Sequence, residues 1–198
     1  MMMLLHYVTG ISKYPELPLS PGSSVNLLYL SGSSPNSFVC QYFDDALKLE
    51  MLMGELGEHV DALESSDPPN VYRIGDPIIA KYSKDEAWYR GQVLSDDLTE
   101  GSIDILFVDY GNIEPVHVTD LRPILPAFTV LKKQAINCRL CTMSATTSDN
   151  WSDDAFVKFE ELAVDCECMI GSVVAVEEGN VLVLLRCDSC LDVAVFIQ

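Results

Sequence analysis

The chain has 198 residues, 48% hydrophobic and 21% charged, enough apolar length for one large domain or two small interlocked ones and too apolar for a disordered chain. Lys and Arg number 12 against 30 Asp and Glu, a formal net charge of −18. Such a surface repels phosphate backbones, which argues against DNA or RNA as the main partner and for a basic one; acidity that merely confers solubility carries equal weight.

Residues 1–23 read as an N-terminal extension or linker that ends in the Pro/Gly/Ser run "LPLSPGSS". The leading "MMMLLHYVTG" has no basic region before its apolar patch and no small-residue cleavage site after it, and no segment reaches the length of a membrane span. The expected setting is soluble and intracellular. "SVNLLYLSG" and "SFVCQYFD" then predict a hairpin over about Val25–Tyr42, turning at "SGSSPN". In "DDALKLEMLMGELGEHV", Leu49, Leu52, Met53, Leu56 and Val60 make one apolar stripe at helical spacing. Asp44 and Asp45 suit its start, where carboxylates accept free N–H groups, and Gly57 suits an early end. The stripe is read as core.

After "ESSDPPN" the composition changes. "DPIIAKYS", "AWYRGQVLS", "SIDILFVDY", "IEPVHV" and "TDLRPI" are short strands parted by tight turns, the pattern of a small all-β barrel over 70–125. The rest, 126–198, gives a strand in "KQAINCRLCTM" and a helix in "NWSDDAFVKFEELAVD" capped by Ser152 or Asn150. Strands follow in "MIGSVVAVEEG", "NVLVLLRCD" and "DVAVFIQ". Neither flank, 24–66 or 126–198, has enough strands to hide an apolar face and both sheet edges. The two are therefore expected to fold together as a second barrel with the small one inserted. The fold class is mainly β with two helices, the first of them a linker helix that joins the two barrels.

Aromatics crowd the middle segment: Tyr82, Trp88, Tyr89, Phe107 and Tyr110. Strand neighbours point to opposite faces, so Trp88 is expected inside and Tyr89 outside. Phe107 and Tyr110 would diverge on a straight strand. An ending near Asp109 and a positive-φ turn at Gly111 would swing Tyr110 towards Phe107. Four rings could then wall a pocket for a cation, each contact worth ~0.5 to ~2 kcal/mol. Methylation keeps a cation's charge while weakening its hydration, and Asn112 at the rim can accept a guanidinium N–H. Four ordinary core aromatics explain the same residues equally well.

"IIAKYSKDEAWYRGQV", "ILFVDYGNIEPV" and "LRPI" resemble the Tudor domain. The flanks resemble the outer parts of an extended Tudor domain of germline Tudor proteins, a Tudor barrel inserted into a split staphylococcal-nuclease-like (SN-like) OB fold. The likeness covers about Ser24–Gln198. It implies a non-enzymatic reader of symmetrically dimethylated arginine, with a cage of Tyr82, Tyr89, Phe107 and Tyr110 plus Asn112. It also implies Arg-rich tails of PIWI-type Argonaute proteins as partners and perinuclear germ granules (nuage) of the piRNA pathway as the setting, with no cofactor. Gly91 departs from the alanine common at its position, and Asp109 reads as structural.

Other chemistry fits less well. Seven cysteines, an odd number, suit a reducing cytosol and buried free thiols. The pairs Cys138/Cys141 and Cys187/Cys190 lie too far apart for common zinc modules. The alternative to a peptide reader is RNA binding or residual nuclease activity of the OB-like barrel. A nuclease needs clustered carboxylates and arginines that cannot be assembled here, and single-strand binding needs a positive groove that the net charge opposes.

Overall fold

The computed structural model describes residues 13–15, 18–63, 72–141, 151–187 and 193. Among the described residues it is mainly β with two α-helices, and the chain divides into two compact units. Unit 1 comprises Met1–Glu16, Leu52–Phe107 and Asn112–Lys133; unit 2 comprises Leu17–Met51, Val108–Gly111 and Gln134–Gln198.

Unit 2 holds strands β1 (Ser24–Ser34), β2 (Ser37–Tyr42), β8 (Ala135–Leu140), β9 (Met169–Glu177) and β10 (Asn180–Arg186). They close as a barrel in the order β1-β2-β8-β10-β9, with β8 and β10 parallel and the other pairs antiparallel. The two flanks of the sequence thus share one barrel, since closure removes the edges that each would otherwise expose. Helix α2 (Asp153–Asp165) feeds this core: the Phe159 ring lies 4.9 Å from Phe38 and 5.8 Å from Tyr29. Ser152 caps the helix, its hydroxyl accepting the Ala155 N–H at 3.1 Å; Asn150 lies outside the described residues.

Two expectations change in this unit. The turn of the first hairpin is only Pro35-Asn36, because β1 continues through "SGSS" by register shifts that absorb the extra residues. Cys166 and Cys187 form a disulfide, with Cα atoms 6.0 Å apart, where free thiols were expected. The end of α2 and the end of β10 meet in the fold, a proximity that spacing in sequence does not reveal. Cys40, Cys138 and Cys141 stay buried thiols. The expected last strand, "DVAVFIQ", lies outside the described residues apart from Val193, which is buried in the barrel core.

Helix α1 (Ala46–Asp61) runs past Gly57 to Asp61. A one-turn 3₁₀ helix over Phe43–Asp45 precedes it, and Lys48 Nζ sits 2.6 Å from the buried Asp45 carboxylate. Leu56 and Val60, the buried end of the predicted stripe, belong to unit 1.

Unit 1 is a five-stranded sheet in the order β6-β5-β4-β3-β7, built from β3 (Pro77–Lys81), β4 (Trp88–Val93), β5 (Ser102–Phe107), β6 (Ile113–His117) and β7 (Leu121–Arg122). Every strand pair is antiparallel. The sheet is buried on both faces. One face gathers Ile78, Ala80, Val93, Ile103, Ile105 and Phe107; the other sets Ile79 against Leu56, Val60 and Phe128. This two-core arrangement reverses one expectation. Tyr89 packs with the first cluster and Trp88 with the second, where the Arg122 guanidinium stacks over its ring at 4.9 Å. Strand alternation holds, but the helix gives the outer face an apolar partner, so both aromatics are half-buried.

Arg90, on the same face as Trp88, is completely buried. Its Nη1 donates to the carbonyls of Phe128 (2.9 Å) and Leu131 (2.6 Å), and its Nη2 to that of Lys132 (3.0 Å). The Tyr14 ring lies 5.0 Å from the guanidinium carbon, and the Tyr14 hydroxyl donates to the Gly91 carbonyl at 3.1 Å.

Gly91 now has a steric reason. A Cβ there would meet Ile105 Cγ2 at 2.6 Å and Ile78 Cγ2 at 3.3 Å, so the branched Ile105 fills the space of an alanine methyl. Gly91→Ala is expected to destabilise the fold by about 1–3 kcal/mol through overpacking, and adding Ile105→Leu, which lacks the Cγ2 branch that the new methyl meets, should recover part of the loss. Urea unfolding of the single and double variants measures the coupling.

Candidate functional site

β5 and β6 form a hairpin with Leu106 paired to Ile113. The loop closes by a 2.9 Å hydrogen bond from the Phe107 N–H to the Asn112 carbonyl. The strand ends at Phe107, two residues before the Asp109 ending expected from sequence, and Val108–Tyr110 form the turn. Gly111 has φ +82°, the left-handed region that glycine occupies without strain. The hydrogen bond fixes Asn112 one step beyond the last residue pair, beside Phe107.

The β3–β4 hairpin brings the other rings. The Tyr82 N–H donates to the Ala87 carbonyl and the Glu86 N–H to the Tyr82 carbonyl, both at 2.9 Å, and Glu86 takes φ +61°. Tyr82, Tyr89 and Phe107 converge at one end of the sheet. Their centroids are 5.2 Å apart for Tyr82–Phe107 and 6.1 Å for each of the other two pairs. The interplanar angles are 66° for Tyr82–Phe107, 84° for Tyr82–Tyr89 and 86° for Tyr89–Phe107. Three nearly perpendicular planes describe the corner of a box, where a small cation can meet more than one ring face.

The rings differ in burial. Phe107 is 1% exposed, so it is a floor continuous with the core, whereas Tyr82 and Tyr89 are half-buried walls. Tyr110 and Asn112 are half-buried too. Tyr110 lies within the Val108–Gly111 turn that belongs to unit 2. In that unit the turn is fastened at several points. The Asp109 carbonyl accepts Gln41 Nε2 at 2.6 Å, the Asp109 carboxylate accepts the Gln134 N–H at 3.2 Å, and the Val108 carbonyl accepts the Ala135 N–H at 3.1 Å. Asp109 is therefore structural.

One residue escapes a reading of the sequence. Asp85, on the tip of the β3–β4 hairpin, accepts the Tyr89 hydroxyl at 2.7 Å and the Ala87 N–H at 3.0 Å. Those two donors, the Ala87 N–H first, hold its carboxyl below the usual carboxylate range. The one signal in the sequence is an acid four residues before a wall tyrosine, inside a hairpin that folds back on itself. A separate polar recess of about 330 Å³ shares Tyr82 and is lined also by Ser83, Glu86, Glu114, His117 and Asp120. There the Glu114 carboxylate accepts the Ser83 N–H and hydroxyl at 2.9 and 2.8 Å. Among the described residues, no three His, Cys, Asp or Glu side chains gather closely enough to hold a metal.

The profile of the Tudor domain family matches residues 19–142, well over half of the chain. The chain belongs to the Tudor domain family. Tudor domain-containing protein 1 of Oryzias latipes is 35% identical over 143 residues, covering 71% of this chain and 12% of that protein. The Tudor and KH domain-containing protein of Mus musculus is 34% identical over 138 residues, 68% of this chain and 24% of that protein. The chain thus spans between about an eighth and a quarter of the length of these Tudor relatives. Solved extended Tudor domains share the fold. The human TDRD1 domain in complex with a symmetrically dimethylated peptide matches with a TM-score of 0.76 and 29% identity, over 91% of this chain and 90% of that one. Domain TD3 of mouse TDRD1, in complex with a MILI peptide containing dimethylarginine, matches with a TM-score of 0.78 and 26% identity, over 94% and 95% of the two chains. Among the described residues of this Tudor chain, no helix is long and apolar enough to cross a membrane.

Proposed function

We propose that this chain is a non-enzymatic reader of symmetric dimethylarginine in Arg-rich peptides. The cage consists of Tyr82, Tyr89, Phe107 and Tyr110, with Asn112 accepting a guanidinium N–H. The observation that carries the reading is the near-perpendicular cluster of Tyr82, Tyr89 and Phe107, with Asn112 tied to Phe107 by the loop hydrogen bond. The dimethylated peptides in complexes of similar extended Tudor domains support it.

A dimethylated guanidinium keeps its charge but loses hydration, so ring faces compete better with water for it than for an unmodified arginine. Asn112 contributes an acceptor without burying a second charge. The net charge of −18 speeds encounter with a basic tail. The family likeness supports a reading in which PIWI-type Argonaute tails are the partners, perinuclear germ granules of the piRNA pathway are the cytoplasmic setting, and the chain acts as a scaffold. Within that reading, 70–125 is the Tudor barrel, 24–66 is the first part of the SN-like barrel plus a linker helix, 126–198 is its second part, and 1–23 is an N-terminal extension or linker.

A peptide with symmetric dimethylarginine should bind more tightly than its asymmetric and unmethylated forms in calorimetric titration. Equal affinity for all three rejects the reading.

A further inference from the structure

We infer that Asp85 is a positioning and charge-supplying residue of the aromatic site, acting through the Tyr89 hydroxyl, an inference that rests on the methylarginine reading. The β3–β4 hairpin folds Asp85 back towards its own strand. One carboxylate oxygen is tied to the Ala87 N–H at 3.0 Å, which fixes the group, and the other receives the Tyr89 hydroxyl at 2.7 Å.

Three effects follow. The Tyr89 ring is held at both ends, by Tyr82 and Phe107 at its edge and by Asp85 at its hydroxyl, so little torsional freedom remains to be lost when a ligand enters. A phenol that donates to an anion pushes electron density into its ring, which makes the ring face more attractive to a cation. The carboxylate is also a full negative charge beside the wall. It stays ionised at neutral pH, and because the hairpin tip is exposed, keeping it charged requires no burial of a bare ion. In the same hairpin, Lys81 Nζ lies 3.6 Å from the Glu86 carboxylate, so that lysine is offset by its own partner. The site therefore selects for charge as well as shape: a neutral side chain of the same outline gains nothing from Asp85.

The test is a double-mutant cycle on the whole chain, titrated with the symmetric dimethylarginine peptide. Asp85→Asn keeps the size and an acceptor but removes the charge; Tyr89→Phe keeps the ring but removes the hydroxyl. Each should weaken binding roughly two- to fivefold at low salt, with unchanged thermal unfolding. The double variant should lose clearly less than the product of the two single losses, because both break one connection and only the charge of Asp85 acts apart from it. The Asp85→Asn loss should shrink as ionic strength rises, which a purely structural role would not produce. Parent-like affinity of Asp85→Asn, independent losses that multiply, or a loss indifferent to salt overturns the inference. A parent that binds all three methylation states alike removes the methylarginine reading and this inference together, so the two failures are distinguishable.

Discussion

Arg90→Ala is expected to lower the unfolding free energy by about 3–5 kcal/mol. The guanidinium is fully buried and serves the carbonyls of Phe128, Leu131 and Lys132. Alanine would leave these acceptors without their donor, each at about 1–3 kcal/mol if water does not reach it. It would also open a cavity beneath Tyr14. Lysine should fall between arginine and alanine, because one ammonium group cannot reproduce a planar fork aimed at three acceptors. Denaturant titration monitored by Trp88 and Trp151 fluorescence measures the loss. A change below about 1 kcal/mol would mean that the 128–132 segment finds other donors, and that Arg90 does not hold it.

Tyr89→Ala should weaken dimethylarginine binding about tenfold, with the fold intact. The side chain is half-buried at the end of β4, so its loss removes a wall of the site and not the centre of the core. Asn112→Ala should cost several-fold, since one hydrogen bond to a charged group is lost at a site that water can enter. Phe107 cannot serve this test. It is 1% exposed, and truncating it would cost about 3–5 kcal/mol of stability, which masks any change in affinity. Calorimetry beside thermal melts separates the cases. Parent-like binding by both Tyr89→Ala and Asn112→Ala would put the pocket elsewhere.

Much of this is legible in the chain because local pattern and global fold agree. The alternation in "SIDILF" and the turn at "YGN" fix β5, its loop and the neighbourhood of Phe107 and Asn112 without any long-range information. Shared closure of the flanks follows from counting strands too few to close alone. What sequence does not supply are partners from distant segments. Trp88 is expected inside only if the sheet has a single core; α1 gives the outer face a second one. Cys166 meets Cys187 because the ends of α2 and β10 converge, 21 residues apart in sequence. The role of Asp85 depends on the hairpin's backward fold, set by a positive φ at Glu86 that no composition rule announces at a glutamate.

The turn Val108–Gly111 has a consequence for dissection. It interrupts unit 1 in sequence but packs as part of unit 2, with Asp109 bonded to Gln41 and Gln134, and with a Cβ at Gly111 landing 2.8 Å from Val39 Cγ1. A fragment trimmed to 70–125 would carry the turn's four residues but neither glutamine nor Val39. The stretch between Phe107 and Asn112 would then keep its covalent ends and lose its scaffold. Modular as the chain is in sequence order, this four-residue turn draws its hydrogen-bond partners from both flanks, Gln41 before it and Gln134 and Ala135 after it.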